Sequence, residues 1–141
     1  IKDGASEIDM VINIGMLKSG EYDYVENEIR QIKEAIGENI LKVIIENCYL
    51  TDAEKRKATE LCLNAKADFV KTSTGFGTGG ATFEDISLMK SIVGDRAQLK
   101  AAGGVRDLET AKKYIELGVT RLGTSSGVEL VTTGTADPNK Y

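Results

Sequence analysis

The amino-acid sequence predicts an α/β fold built from five successive strand–helix units. Short apolar segments alternate with longer amphipathic segments along the 141 residues, and this alternation occurs five times. The repeat averages about thirty residues, which is the length of a βαβ unit with a right-handed crossover. Hydrophobic residues make up 41% of the chain, enough for one buried core, so we expect residues 1–141 to form a single domain.

Five short segments are predicted to be the strands of a parallel sheet. The first three are rich in Val, Ile or Phe, as expected of strands that are buried on both faces. The predicted strands cover residues 7–14, 41–47, 68–74, 98–102 and 119–123.

Four longer segments between these strands carry apolar residues at helical spacing. Thr51 with Glu54 three residues later forms a capping box, and Asp107 is a predicted N-cap. Glycines at the helix ends are predicted C-terminal caps: Gly37, Gly94 and Gly118. The predicted helices cover residues 22–36, 51–65, 82–93 and 108–117.

The ends of the chain carry two further predictions. Residues 1–5 resemble the last turn of a helix capped by Gly4, so we expect a fragment, or a chain whose N-terminal part is absent. Residues 132–141 are predicted to form a flexible C-terminal tail. The pattern alone does not decide whether the sheet is open or closed, because five strands fit a doubly wound sheet as readily as part of a barrel.

Composition excludes several classes of function. A formal net charge of −4 argues against a nucleic-acid or anionic-membrane surface, so we expect a small molecule or another protein as partner. The chain contains no histidine, and Cys48 and Cys62 lie in no metal-ligand spacing, so we expect neither a metal site nor His-based acid–base catalysis. No apolar run approaches the roughly 20 residues that span a bilayer, and we expect a soluble protein in the cytoplasm.

Three ionisable side chains fall on the inner face of the predicted sheet. The strand period of two directs Ile8 and Met10 toward the helices and Asp9 to the opposite face. The same count places Lys71 and Lys100 on that inner face. Buried charges destabilise a fold unless they are paired, so such a trio indicates a functional site.

The chemistry that this trio permits is imine formation. Desolvation and a neighbouring cation both lower the pKa of a lysine, which raises its nucleophilic fraction at neutral pH. Lys71 is the predicted nucleophile, Lys100 the neighbouring cation, and Asp9 the group that accepts and returns protons. The alternative is an ordinary ion pair at strand ends that reach the surface.

Glycine- and hydroxyl-containing turns follow the last three strands. The carboxyl ends of parallel strands are where such folds bind ligands. Backbone N–H groups in these turns, together with serine hydroxyls, could hold a phosphate: Gly103, Gly104, Ser125 and Ser126. Each turn taken alone also fits a simple βα connection. Glu46, at the end of the second strand, either lines the same cavity or lies solvated at its rim.

Three segments of the chain resemble successive signatures of the deoxyribose-phosphate aldolase family. They cover residues 7–11, 69–76 and 99–106, and the resemblance extends over nearly the whole chain. It implies a TIM (β/α)8 barrel of which this chain supplies strands four to eight. For individual residues, it implies that Lys71 forms the Schiff base, that Lys100 perturbs Lys71, and that Asp9 joins the proton relay.

The resemblance also implies a substrate and its contacts. The reaction would be reversible cleavage of 2-deoxy-D-ribose 5-phosphate to D-glyceraldehyde 3-phosphate and acetaldehyde, without metal or cofactor. The implied phosphate contacts are Gly75, Gly103, Gly104, Ser125 and Ser126. Thr74 and the terminal Tyr141 are further candidates, whereas Phe76 stands where some members carry a lysine.

Two alternatives remain at the level of the sequence. One is another lysine-dependent barrel aldolase, acting on a keto acid or resembling transaldolase. The other is a non-catalytic, truncated half-barrel that binds phosphate or self-associates. Because five strands leave two unpaired sheet edges, we expect a homo-oligomer.

Overall fold

A computed structural model describes residues 1–135 as a parallel five-stranded sheet with helices between the strands. The strands are β1 (Glu7–Val11), β2 (Ile40–Ile44), β3 (Phe69–Lys71), β4 (Gln98–Ala102) and β5 (Arg121–Gly123). The helices are α1 (Ile14–Lys18), α2 (Tyr22–Ile36), α3 (Asp52–Asn64), α4 (Phe83–Val93), α5 (Leu108–Glu116) and α6 (Gly127–Thr132), with a 3₁₀ turn at Asn47–Tyr49. The prediction of a parallel α/β fold is confirmed.

The strands lie side by side in the order in which they occur in the chain. A doubly wound sheet reverses its strand order at a switch point, and this sheet does not. Successive helices also contact one another, from α1 with α2 through α4 with α5, as they do around one face of a barrel. The topology is therefore that of a barrel sector.

Curvature of the sheet brings its two outermost strands into contact through their inward-facing side chains. Arg121 on β5 donates hydrogen bonds to the carboxylate of Glu7 on β1, with an Nη2–Oε1 distance of 3.3 Å for one of them. These strands are not neighbours in the sheet. A side-chain contact between them requires the sheet to bend around an interior, because in a flat sheet the first and fifth strands are too far apart.

The apolar core lies between the outer face of the sheet and the helices. Its fully buried members from the strands are Leu41, Val43, Val70, Leu99 and Ala101. Helices α2 and α4 contribute Val25, Ile29, Ile86 and Met89. Because these strand residues alternate with the ionisable ones, the predicted parity of the strands is correct.

Most predicted helix ends match the structure. The Thr51 hydroxyl accepts a hydrogen bond from the Glu54 N–H at 3.3 Å, and the Glu54 carboxylate accepts one from the Thr51 N–H at 2.8 Å. Asp107 accepts from the Thr110 N–H at 2.7 Å. The predicted capping box and N-cap are therefore present.

The short helices α1 and α6 were not predicted. The first strand ends at Val11, and α1 follows because the Asn13 side chain accepts a hydrogen bond from the Met16 N–H at 3.1 Å. The predicted strand 7–14 is therefore too long. The third strand is also shorter than predicted, because the backbone beyond Lys71 turns into the loop that is described below.

The two ends of the described chain contain only short local structure. Residues 1–4 form a turn that is closed by a hydrogen bond from the Gly4 N–H to the Ile1 carbonyl at 3.0 Å, and Gly4 has φ +101°. That this turn is the last turn of a helix stays a prediction. Thr132 is the last residue of α6, and Thr135 pairs with Asp107 in an isolated bridge. The rest of the predicted tail, including Tyr141, lies outside the described residues. No helix within residues 1–135 has the length and apolar character needed to cross a membrane.

Candidate active site

The three predicted ionisable residues point into the same interior. Lys71 ends β3 and is paired in register with Lys100 on β4. The Lys71 Nζ lies 3.2 Å from the Asp9 Oδ1, although β2 separates their strands. The Lys71 side chain is 13% exposed. The geometry therefore brings together the groups that the strand period places on one face.

Lys42 on β2 connects this group to the first strand, and its part was not predicted. Its side chain is 5% exposed, and its Nζ lies 2.6 Å from Glu7 and 3.1 Å from Asp9. The resulting chain of ion pairs, which we call the interior network, runs through Arg121, Glu7, Lys42, Asp9 and Lys71. Inward parity was the available signal for Lys42, but parity does not say which partners a side chain reaches.

The interior network sets the charge of Asp9. Burial alone would raise the pKa of Asp9, but hydrogen bonds from Lys42 and Lys71 outweigh this effect and lower the pKa below its ordinary value. Asp9 is consequently a carboxylate at neutral pH, held against two ammonium groups. It can accept a hydrogen bond or a proton from a group bound beside Lys71.

The environment of Lys100 makes loss of its proton easier than in water. Burial, and after it the charge of the neighbouring Lys71, lower the pKa of Lys100. Lys100 makes no salt bridge with any residue of the described part of the chain. Two amines in one enclosure, one of them with a lowered pKa, are an arrangement in which protons can be exchanged during a reaction.

A cleft of about 290 Å³ opens beside the two lysines at the carboxyl end of the sheet. Thr74 lines this cleft. So do all the residues predicted to hold a phosphate: Gly75, Gly103, Gly104, Ser125 and Ser126. Gly103 has φ +81° and packs on Gly80, whose Cα would lie 2.9 Å from a Cβ at residue 103. Only glycine fits this position, and the loops can then approach each other closely.

The loop after β3 is fastened to the neighbouring strand by a hydroxyl group. Thr72 is fully buried, and its Oγ1 donates to the Ala102 carbonyl at 3.2 Å and accepts from the Ala102 N–H at 3.1 Å. These bonds continue the pairing of β3 and β4 beyond Lys71. They orient the residues that follow along the cleft.

Arg106 also lines the cleft and was not among the predicted site residues. It lies two residues after the Gly103–Gly104 turn, and a basic residue this close to a glycine turn is a signal that could have identified it. Phe76, by contrast, is 95% exposed. No group of three or more His, Cys, Asp or Glu residues within residues 1–135 is arranged to hold a metal ion.

Acid should weaken the interior network. Hydrogen bonds from Arg121 and then Lys42 lower the pKa of Glu7 from 4.5 to about 2. The stabilisation from Glu7 is therefore complete above pH 4.5 and is lost as the pH falls toward 2. Glu7→Gln should lose less stability than the wild type across this interval, measured by urea unfolding at a series of pH values. Equal losses in the two proteins would mean that the network does not form in solution.

Fold and cleft together define a class of protein, the (β/α) barrels, here with lysines on the inner face of the sheet and a cleft at the carboxyl ends of its strands. Comparison with known proteins supports this class. The family model described as DeoC/LacD family aldolase matches residues 1–130. This chain belongs to that family.

Curated relatives are named deoxyribose-phosphate aldolase. One from Caldanaerobacter subterraneus subsp. tengcongensis is 57% identical over 134 residues, which is 93% of this chain and 58% of the relative. Another from Deinococcus radiodurans is 60% identical over 131 residues, covering 93% of this chain and 60% of the relative. The chain thus spans about three fifths of the length of these relatives.

Solved structures share the fold. A protein described as "QR15, an Aldolase" is 48% identical with a TM-score of 0.86, over 90% of this chain and 57% of that one. The tetrameric deoxyribose phosphate aldolase from Aeropyrum pernix is 28% identical with a TM-score of 0.83, over 94% of this chain and 56% of that one. These matches place the sheet in the TIM-barrel class.

Proposed function

We propose that this chain carries the catalytic part of a class I aldolase that reversibly cleaves 2-deoxy-D-ribose 5-phosphate to D-glyceraldehyde 3-phosphate and acetaldehyde. The observation that carries the proposal is the position of Lys71. It contacts Asp9, it is paired in register with Lys100, and it lines a cleft whose far wall is formed by glycine- and serine-containing loops.

In the proposed reaction, neutral Lys71 attacks the aldehyde carbon of the open-chain sugar, and water leaves to give an iminium ion. The carbon–carbon bond between C2 and C3 then breaks, and its electron pair enters the enamine that remains on Lys71. Asp9 takes the proton of the C3 hydroxyl, directly or through water, as C3 becomes the aldehyde of glyceraldehyde 3-phosphate. Protonation of the enamine and addition of water release acetaldehyde and restore the amine.

The phosphate of the substrate would lie at the loop end of the cleft. Backbone N–H groups there, with serine hydroxyls, can satisfy its oxygens, and we assign this role to Gly75, Gly103, Gly104, Ser125 and Ser126. Arg106 lines the same region and would supply a positive charge, since Phe76 cannot. Lys100 would exchange protons with the amine of Lys71 as the imine forms and breaks.

We further propose that the chain corresponds to strands four to eight of an eight-stranded barrel. The sequential strand order and the shorter length relative to the matched proteins support this. Homo-oligomerisation is also proposed, because β1 and β5 are unpaired outer strands when this chain is alone, and because the Aeropyrum pernix protein is described as tetrameric. Light scattering of the purified chain would measure its oligomeric state.

The test of the function is borohydride trapping combined with substrate profiling. With acetaldehyde and sodium borohydride, we expect an ethyl group on Lys71 in the peptide map, and cleavage of 2-deoxyribose 5-phosphate in a coupled assay. An adduct formed only with a keto acid would assign the chain to another lysine-dependent aldolase. No adduct and no cleavage, in a protein that includes the preceding barrel strands, would overturn the proposed activity and favour the non-catalytic alternative.

A further inference from the structure

We propose that Glu46 is a positioning residue that makes the site prefer phosphorylated substrates, because it holds the Thr74–Gly75 wall of the cleft in place. The inference rests on the proposed function and extends it to a residue that does not itself line the cleft. Sequence parity left Glu46 either lining the cavity or solvated at its rim, whereas the structure buries it to 4% exposure.

The backbone of Glu46 is held in an unusual conformation. Its φ is +54°, in the left-handed region that residues other than glycine rarely occupy. Such a conformation persists when the surroundings fix it from several sides, and it is concentrated at functional sites. On either side of Glu46, the Ile45 N–H donates to the Lys71 carbonyl at 3.0 Å and the Asn47 N–H donates to the Thr72 carbonyl at 2.9 Å. Glu46 is therefore fastened directly to the segment that carries the proposed nucleophile.

The Glu46 carboxylate then reaches further along the same segment. Its Oε1 accepts a hydrogen bond from the Thr74 backbone N–H at 3.1 Å, and its Oε2 accepts one from the Thr74 hydroxyl. The Thr74 Oγ1 in turn accepts from the Phe76 N–H at 3.0 Å. These three bonds fix the backbone on both sides of Gly75, which lines the cleft.

The loop also folds over Glu46. A Cβ at Gly77 would lie 3.3 Å from the Glu46 carboxylate and 2.7 Å from the Cys48 Sγ, so the loop has no space for a larger residue there. Glu46 is thus enclosed between the end of β2 and the loop. No Lys or Arg of residues 1–135 forms an ion pair with it.

A purely structural role would not require a carboxylate at this position. Burying a charged group is unfavourable unless hydrogen bonds satisfy it, and an apolar side chain would fill the space at lower cost. The carboxylate here is satisfied by Thr74, whose neighbour Gly75 is proposed to contact phosphate. We therefore attribute the buried carboxylate to its role in holding Thr74 and Gly75 in position along the cleft.

The experiment measures kcat and KM of the full-length protein with 2-deoxyribose 5-phosphate and with unphosphorylated 2-deoxyribose. We expect Glu46→Gln and Thr74→Val each to raise KM for the phosphorylated sugar about tenfold, since each weakens a charge-assisted hydrogen bond. KM for 2-deoxyribose and both kcat values should change less than about twofold. The double variant should be no worse than the more severe single variant, because both act through one contact. Glu60→Gln on the exposed face of α3 is the matched control.

Titration with inorganic phosphate separates this inference from the proposed function. If the wild type cleaves neither sugar but binds phosphate, and Glu46→Gln weakens that binding about tenfold, the function fails and the role of Glu46 stands. The inference is overturned if Glu46→Gln and Thr74→Val, both folded by circular dichroism, bind phosphate as the wild type does. It is equally overturned if KM rises by the same factor for both sugars.

Discussion

Replacing Lys71 with arginine should lower the rate of 2-deoxyribose 5-phosphate cleavage at least about 10³-fold and leave the fold intact. Arginine keeps the positive charge beside Asp9, where Lys71 now lies at 3.2 Å, so the interior network keeps its balance of charge. A guanidinium does not lose its proton in a protein, however, and cannot form the imine. Steady-state kinetics and the borohydride adduct together measure the loss.

Lys33→Arg is the matched control for this substitution. Lys33 pairs with Asp68 at 2.7 Å on the helical side of the sheet, away from the cleft, so its replacement should leave kcat within about twofold of the wild type. An adduct that moves to Lys100 in Lys71→Arg, with activity within tenfold of the wild type, would make Lys100 the nucleophile. That outcome would be physically reasonable, because the lowered pKa of Lys100 makes its amine easier to deprotonate.

Replacing Lys42 with methionine should cost about 2–3 kcal/mol of unfolding free energy. The substitution keeps the aliphatic stem but removes the ammonium that contacts both Glu7 and Asp9. We place the loss at the lower end for a buried ion pair because each carboxylate keeps one cation, Arg121 or Lys71, and is about a third exposed. Urea unfolding at pH 7 measures it.

The same variant should also shift the titration of Asp9. Lys42 donates one of the two hydrogen bonds that lower the pKa of Asp9, so its removal should raise that pKa toward the ordinary value of 3.8. The acidic limb of the pH–rate profile should therefore move to higher pH.

Lys57→Met is the control for the unfolding measurement, because the Lys57–Glu60 pair is exposed and should contribute less than about 0.5 kcal/mol to the free energy of unfolding. Equal unfolding free energies for the two variants would contradict the buried role of Lys42.

The elements that sequence analysis located best are those specified by neighbouring residues. Helix α2 was predicted at the bounds it has, and the Thr51–Glu54 box and the Asp107 cap form as their spacing requires. Helices α1 and α6 are short, with five and six residues, so they present too few turns for a hydrophobic stripe to be recognised. Each has one buried residue, Leu17 in α1 and Leu130 in α6, and a single buried residue gives no period to detect.

The site was predictable as far as strand parity extends. Parity put Asp9, Lys71 and Lys100 on one face, and the turn composition marked the loops that line the cleft. It could not identify Lys42 as the link to Asp9, because that contact depends on the register between β1 and β2. Glu46 was ambiguous for a related reason: its left-handed backbone ends the alternation on which the parity argument depends.

Sequence alone therefore determined the βα repeat, the direction in which each strand residue points, and the residue types at the strand ends. These properties follow from periods of 2 and 3.6 residues, which act over a few neighbours. Only the tertiary structure decided that the strands follow one another in order and curve until Arg121 meets Glu7, 114 residues away. Contacts of that kind arise from the twist and packing of the whole sheet, which no local pattern encodes.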